Sequence, residues 1–315
     1  MEIPADLRAA IDKRAEGARK ALIHDAESIS LKYRTQGGQG RALVSTANEA
    51  AAYAVARMPA TYGAVLGALG HALSIVNKKP KTLLDAGAGT GSASWACSTL
   101  LDLESVVCLE REKAMRQLGQ ELMKDSSLAN ATWIACDITK DKMPATADLV
   151  VASYVLNEMG EREQEAGIAK LWSSSKEMLL IVEPGTPAGY SVVAKARELL
   201  LKAGGHILAP CPHEGKCPIS GSDWCHFAAR IPRSRLHREA KGADAPYEDE
   251  KYSYVAFSKT PCARAEARIT RHPFFEKGLV SLNLCGRSGL EKRIAKKKDE
   301  QYKQARKAKW GDPFF

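Results

Sequence analysis

The chain has 315 residues, 45% of them apolar, enough for one large domain or two ordinary ones around a buried core. No apolar run reaches the roughly 18 residues that span a bilayer, since "AVLGALGHALSIV" is short and carries His71, so the sequence reads as a soluble globular protein. A formal net charge of +9 points to a polyanionic partner, and the excess is concentrated toward the C-terminal end.

Residues 5–76 are rich in alanine with apolar residues at helical spacing. Breaks at "TQGGQGR" (35–41) and Pro59 divide them into several helices. From Lys81 the pattern changes to short apolar strands alternating with helices: "TLLDAGAG", a helix from Ser92, "SVVCLER", a helix to Lys124, "TWIACDI", "ADLVVASYVL", a helix through Trp172, "EMLLIVEPG" and a helix from Tyr190 to Ala203. That alternation predicts a doubly wound α/β core, a parallel sheet with helices on both faces. Beyond Ala203 the sequence predicts a strand "HILAPC", a cysteine-rich stretch, a charged loop and a strand "YSYVAFS". Further strands at "ARITRH" and "LVSLNLC" and a long basic helix complete the chain.

The stretch "LLDAGAGTGSASWA" reads as a strand, an acidic residue, a glycine-rich turn and a helix start. Gly87, Gly89 and Gly91 permit backbone angles and a close approach that a Cβ would block, as a loop wrapping a nucleotide-like ligand requires. Glu110, ending the second strand, stands where a ribose hydroxyl pair would be held, and Asp137, ending the third, stands near an adenine. Asp85 separates this loop from the pyrophosphate loops of dehydrogenases, because an anion there repels a pyrophosphate and suits a sulfonium. Together these residues resemble the class I S-adenosylmethionine-dependent methyltransferases, whose first motif reads much like "DAGAGTG". After the fourth strand, "SYVLNEMGERE" turns Ser153, Asn157 and Glu158 toward the ligand but lacks the Asn/Asp-Pro-Pro-aromatic motif of amino-group methyltransferases. The Pro210-Cys211 pair follows the sixth strand instead of the fourth, which argues against a cysteine nucleophile for cytosine C5. No catalytic residue is assigned.

The segment "CPHEGKCPISGSDWCHF" carries Cys211, Cys217 and Cys225 among polar and glycine-rich neighbours, unlike Cys97, Cys108 and Cys136, whose apolar contexts predict packing. A fourth ligand would come from His213, His226, Cys262 or Cys285. Zinc and iron–sulfur both accept four thiolates, and the wide ligand spacing here resembles no common zinc knuckle.

Several stretches, "HILAPCPHEGKCPI", "DWCHFAARIPRSRLHREAKG", "YEDEKYSYVAFSK", "RHP", "LNLC" and "ARKAKWGDPF", resemble the Rsm22 family of mitochondrial and bacterial small-ribosomal-subunit proteins, from "ARMPATYGAV" to the C-terminus. The resemblance implies a methyltransferase-like fold on the maturing small subunit and a [4Fe-4S] cluster held by Cys211, Cys217, Cys225 and Cys285, with zinc as the alternative metal. It leaves Cys262 a bystander and His213 and His226 as neighbours that hydrogen-bond or pack nearby. The cluster would replace a core that the insertion lacks and pin the C-terminal segment to it. Arg230, Arg233, Arg235, His237 and Arg238 would then form a basic surface beside the tail. In the tail, Lys292, Arg293, Lys296, Lys297, Lys298, Arg306 and Lys307, with Tyr302 and Trp310 as stacking planes, predict RNA contact.

The expected organisation is an α/β protein: a helical region at 1–79, a Rossmann-like S-adenosylmethionine domain at 80–210 completed by strand 251–258, a cysteine-rich insertion at 211–250 and a basic extension at 259–315. The leading reading is an assembly factor that binds S-adenosylmethionine, a [4Fe-4S] cluster, rRNA and proteins of the small subunit, monomeric off the ribosome and with no membrane partner. An active rRNA methyltransferase and an iron–sulfur or redox-sensing RNA-binding protein are the alternatives. The N-terminus "MEIPADLRAAIDKRAEG" has no apolar signal core, which favours a bacterial cytoplasm, or the mitochondrial matrix in a eukaryotic host.

Overall fold

The computed structural model describes residues 2–17, 19–36 and 44–315. Four helices lead the chain: α1 (Ala5–Ala15), α2 (Arg19–Gln36), α3 (Ala47–Ala56) and α4 (Met58–Leu73). A capping box starts α3, where Thr46 Oγ1 accepts from the Glu49 N–H at 3.1 Å and the Glu49 carboxylate accepts from the Thr46 N–H. Pro59 lies in the first turn of α4, where its missing N–H has no helical partner to lose, so the expected break is a helix start. Of the break expected at 35–41, residues 37–41 lie outside the described residues.

Then come β1 (Thr82–Ala86), α5 (Ser92–Leu100), β2 (Ser105–Leu109), α6 (Lys113–Met123), β3 (Thr132–Ile134) and β4 (Ala147–Ser153). A short 3-10 turn (Leu156–Glu158) leads to α7 (Glu161–Ser174), β5 (Ser175–Pro184), α8 (Pro187–Lys202) and β6 (His206–Ala209). β7 (Phe227–Pro232), α9 (Arg235–Lys241) and β8 (Tyr247–Ser258) complete an eight-stranded sheet of order β3-β2-β1-β4-β5-β8-β6, with β7 paired to β8. Its first five strands run parallel, while β8 is antiparallel to both β5 and β6. Strands such as "ADLVVAS" read as continuous apolar runs because both faces are covered. Leu149 and Val151 pack toward α4, α5 and α6, and Val150 and Ala152 toward α7 and α8.

Two expectations are corrected. The charged loop foreseen between the cysteines and β8 is β7 and α9: Phe227, Ala229 and Ile231 alternate inward, at most 1% exposed, and join the main sheet. The stretch without helix or strand shrinks to residues 210–226. The strands expected at "ARITRH" and "LVSLNLC" are β9 (Ala267–Ile269) and β11 (Leu279–Gly286), but the first part of the basic helix expected after them is strand β12 (Gly289–Lys296) and only one helical turn remains, α10 (Tyr302–Ala305); with β10 (Phe274–Glu276) and β13 (Pro313–Phe314) these strands form a second sheet. The physical reason is the hairpin: "GLEKRIAK" pairs along all eight residues of "LVSLNLCG", so a long-range ladder overrides the helical preference of its lysines.

Phe257 of β8 is fully buried and meets the Trp172 ring edge-on at 6.3 Å. Phe257→Ala should therefore destabilise the protein by about 3–5 kcal/mol, read as a lower urea midpoint at unchanged slope.

Candidate functional site

A cavity of about 270 Å³ opens at the C-terminal ends of β1 to β4. Gly87, Gly89, Glu110, Asp137 and Ser153 of the expected cofactor residues line it, together with Arg111, Tyr154, Glu158 and Glu163, which border the same strand ends. Gly87 has φ +71°, and a Cβ built on it would lie 2.5 Å from Val155 Cγ2, so only glycine lets the loop after β1 meet the loop after β4. Glu110 Oε2 accepts from the Gly89 N–H at 2.8 Å and Oε1 from the Glu112 N–H at 2.7 Å. These bonds leave lone pairs for a ligand's hydroxyls. Burial raises the Glu110 pKa against the pull of those N–H groups. Asp137 is the reverse: burial pushes its carboxyl up, but the Thr139 hydroxyl and N–H hold it below the ordinary value.

Three expected residues shape the cavity without lining it. Asp85 is fully buried behind the loop, where Oδ2 accepts from the Ser94 N–H at 3.0 Å and the Ser94 hydroxyl at 2.7 Å. It ties β1 to the first turn of α5, and burial pushes it up to about 6. Gly91 is the N-cap of α5 at φ +88°, where a Cβ would lie 2.3 Å from Met123 Cε. Asn157 lies in the 3-10 turn, with its Oδ1 buried and unbonded among the described residues.

Sequence reasoning missed what holds the loop after β4 from behind. Tyr154 has φ +57°, a conformation that costs a bulky residue of order 1–3 kcal/mol. It is fixed by its N–H on the Val182 carbonyl at 2.8 Å and its hydroxyl on Glu250 at 2.8 Å. Glu183, fully buried, accepts from the Leu156 N–H at 2.9 Å, and burial pushes it up to about 8. Glu158, in the cavity wall, is pushed up to about 7 by burial. An acid's position can be read from the sequence, whereas its burial depends on which distant elements pack over it.

A second cavity, of about 60 Å³, is lined by Cys211, Cys217, Cys225 and Cys285 together. Cys262 is not in its wall; its thiol points at the Ile207 carbonyl at 3.5 Å. Cys285 arrives on β11 from the second sheet, with His213 Nε2 3.9 Å from its sulfur. His226 stacks on Trp224 at 4.9 Å. Burial pushes the Cys285 thiol up to about 12 and the Cys225 thiol well above its ordinary value, and neighbouring cysteines add to both shifts. The four do not close on a single ion: among the described residues no group of three or more His, Cys, Asp or Glu is arranged to hold one. Two guanidiniums flank the thiols. Arg197, 6% exposed, donates to the carbonyls of His213 and Gly215, and Arg268, 2% exposed, donates to those of Pro210 and Gly311. Arg197 Nε finds no acceptor among the described residues.

The basic residues divide. Arg230 forms a bidentate pair with Asp249 at 2.7 Å, Arg233 pairs with Glu248 at 2.9 Å and Arg235 with Glu239 at 3.1 Å, while Arg238 is half-buried. Lys292, Lys296, Lys297, Lys298, Arg306 and Lys307 are exposed on the second sheet and its tail, and Arg293 lies over the Phe314 ring. Tyr302 packs on the core of that sheet, and Trp310 packs against His226 and His272, so neither is the open stacking plane expected.

A family model described as mitochondrial small ribosomal subunit Rsm22 matches residues 47–315. The human "Ribosome assembly protein METTL17, mitochondrial" is 26% identical, over 96% of this chain and 69% of its own length. "Rsm22-cox11 tandem protein 2, mitochondrial" of Schizosaccharomyces pombe is also 26% identical, over 84% of this chain but only 42% of its own. Among solved structures, magnesium protoporphyrin IX methyltransferase from Synechocystis PCC 6803 with bound SAM aligns over 75% of this chain and 97% of its own at TM-score 0.43 and 14% identity. The N-methyltransferase NodS of Bradyrhizobium japonicum WM9 aligns over 65% and 89% at TM-score 0.43 and 12% identity. No helix among the described residues is long and apolar enough to cross a membrane.

The buried acids make stability depend on pH. Glu183 titrates near 4.3 when unfolded and is raised to about 8 in the fold, so the folded chain holds the extra proton between those values. Stability should fall as pH rises through that window. Glu183→Gln keeps an acceptor for the Leu156 N–H and should narrow the gap in Tm between about pH 5 and about pH 8. An unchanged gap would show that Glu183 titrates normally.

Proposed function

Because the chain belongs to the Rsm22 family, we propose that it is a small-subunit assembly factor that binds S-adenosylmethionine, a [4Fe-4S] cluster and rRNA. The observation that carries the cluster is the pairing of four thiols with two buried guanidiniums that form no ion pair with a carboxylate among the described residues. A buried cation without a counter-ion is costly, so this cavity suits an anionic group. Four thiolates around a polynuclear centre would supply that charge. When bound, the cluster would supply a rigid crosslink between the loop at 210–226 and β11. Cys211, Cys217, Cys225 and Cys285 would be its ligands, and Tyr190, whose hydroxyl lies 3.3 Å from the Cys217 sulfur, would donate to that thiolate.

The open acidic cavity supports S-adenosylmethionine. Glu110 has lone pairs to spare for ribose hydroxyls, Asp137 stays ionised, and Gly87 and Gly89 give the backbone access that a nucleoside needs. The exposed cations of the second sheet and tail support rRNA contact. The run from Arg230 to Arg238 contributes less, since most of its cations already face carboxylates.

Protein purified without oxygen should contain about four irons and four acid-labile sulfides per chain with broad visible absorption, and Cys285→Ser should weaken both. One zinc and no sulfide would overturn the cluster assignment while leaving the fold untouched.

A second reading, methyl transfer to rRNA, is favoured by Glu158, an acid raised to about 7 in the cavity wall where a general base would work near neutral pH. Gly87→Ala drives a Cβ into Val155 and should close the donor site. Loss of one specific methylated base, with the variant still loading on the subunit, would establish transfer; unchanged methylation would leave a binding factor.

A further inference from the structure

Resting on the rRNA-binding reading and deepening it, we propose that the outer face of the second sheet is a stacking platform for single-stranded RNA. In it Phe274 is the aromatic plane, and Lys292 and Lys296 are the phosphate contacts.

The two faces of this sheet differ. Directly opposed residues of antiparallel strands share a face, so the register fixes which side chains lie together. On the inner face, Val280, Leu282 and Leu284 of β11 and Ala295 of β12 are buried with Ala305 of α10 and Ala308 after it, and the partly buried Tyr302 packs against them. The opposite face is covered at one end, where Cys285 and Arg268 meet the cysteine cavity, and open at the other, the outer face, where Phe274, Ser281 and Ile294 form one row across β10, β11 and β12, because Ser281 is opposite both. Asn283 is opposite Lys292 and Leu279 opposite Lys296 in the flanking rows. Phe274 is 61% exposed and Ile294 53%, and Lys292 and Lys296 are exposed on either side of that row. Neither lysine forms an ion pair among the described residues, in contrast to the arginines around α9.

The chemistry of this face selects its partner. Soluble proteins rarely leave contiguous apolar side chains open without a use for them. A protein-docking surface depletes lysine at its centre, whereas here Leu290, Lys292, Ile294 and Lys296 alternate apolar and cationic along one side of β12. Alternating stacking surface and positive charge is what an unpaired strand requires, with bases on the apolar side chains and phosphates on the cations. A duplex keeps its base faces stacked inside and cannot use such a plane.

The test uses the full chain and a short fluorescein-labelled oligouridylate, followed by anisotropy across a salt series. Phe274→Leu keeps apolar area but removes the π-face and should weaken binding about tenfold, whereas Phe274→Tyr should bind as the native chain does. Lys292→Gln and Lys296→Gln should each lower the slope of log affinity against log salt by about 0.7. These side chains are exposed, and matching thermal melts would establish that the variants fold. Native affinity and slope in all the variants, with oligouridylate still bound, overturns the platform and leaves rRNA binding to another surface. Native RNA affinity in Phe274→Leu with lost binding to purified small-subunit proteins overturns it in favour of a protein-docking face. No binding of oligouridylate or rRNA by the native chain overturns both the platform and the reading it rests on.

Discussion

Arg268 joins parts of the chain that otherwise have little reason to meet. Its guanidinium lies beyond the reach of water, with Nε on the Pro210 carbonyl at 2.8 Å and a terminal nitrogen on the Gly311 carbonyl at 2.9 Å. The first bond fixes β9 to the end of β6, where the cysteine loop begins, and the second fixes the turn that leads into β13. Carbonyl dipoles orient a buried cation but do not neutralise it. Its charge is felt on α4, where burial first and Arg268 second push His71 down to about 3. His71 is therefore neutral, and its Nδ1 meets the Tyr254 hydroxyl at 3.2 Å. The second sheet is thus docked through a buried charge that faces no carboxylate among the described residues and lies beside the four thiols.

β8 carries that arrangement across the molecule. At its start Glu250 holds the Tyr154 hydroxyl and with it the loop over the nucleotide cavity. Three residues later the Ser253 hydroxyl donates to the Cys225 carbonyl at 2.7 Å, and Tyr254 and Val255 line the cysteine cavity. One antiparallel strand, next to the edge of the sheet but paired on both sides, therefore lines the cysteine cavity and braces the loop at the first cavity. A strand so placed transmits position with little deformation, because shifting it would break two ladders at once.

Local features were legible in the sequence. The alternation from Lys81 gave the order of the core's strands and helices, and Glu110 directly follows β2 as expected, but β3 stops at Ile134, so Asp137 lies three residues beyond the strand it was expected to end while still lining the cavity. Cys285 meets the other three cysteines in one cavity, a grouping that came from family resemblance and could not have come from spacing. What failed was long-range. The tail's lysines favour a helix locally, and nothing within that stretch announces that "LVSLNLC" will pair with it. The arginines after the cysteines looked free because their partners, Glu248 and Asp249, belong to the far side of a hairpin. Trp310 looked like an open ring because the histidines that cover it, His226 and His272, come from separate segments.

The nucleotide cavity shows how much of a site can be built from behind. Tyr154 holds a left-handed backbone that its side chain disfavours, and Glu250 and Glu183 keep it there through bonds that never reach the cavity. That strain turns Val155 against Gly87, so the glycine loop and the loop after β4 fit only as a pair. The groups left facing a ligand after β4 are few: Ser153 at the strand end, and Glu158 and Glu163 beyond it, the last already accepting from the Gly160 N–H. A proline-shaped amine pocket would not be needed to hold the proposed methyl donor, whose ribose and base would be met by Glu110 after β2 and Asp137 after β3. Binding and transfer would therefore be separable in this fold: the first would depend on the acids after β2 and β3 and on the strained loop, the second on whether Glu158 can be brought to a nucleophile's proton.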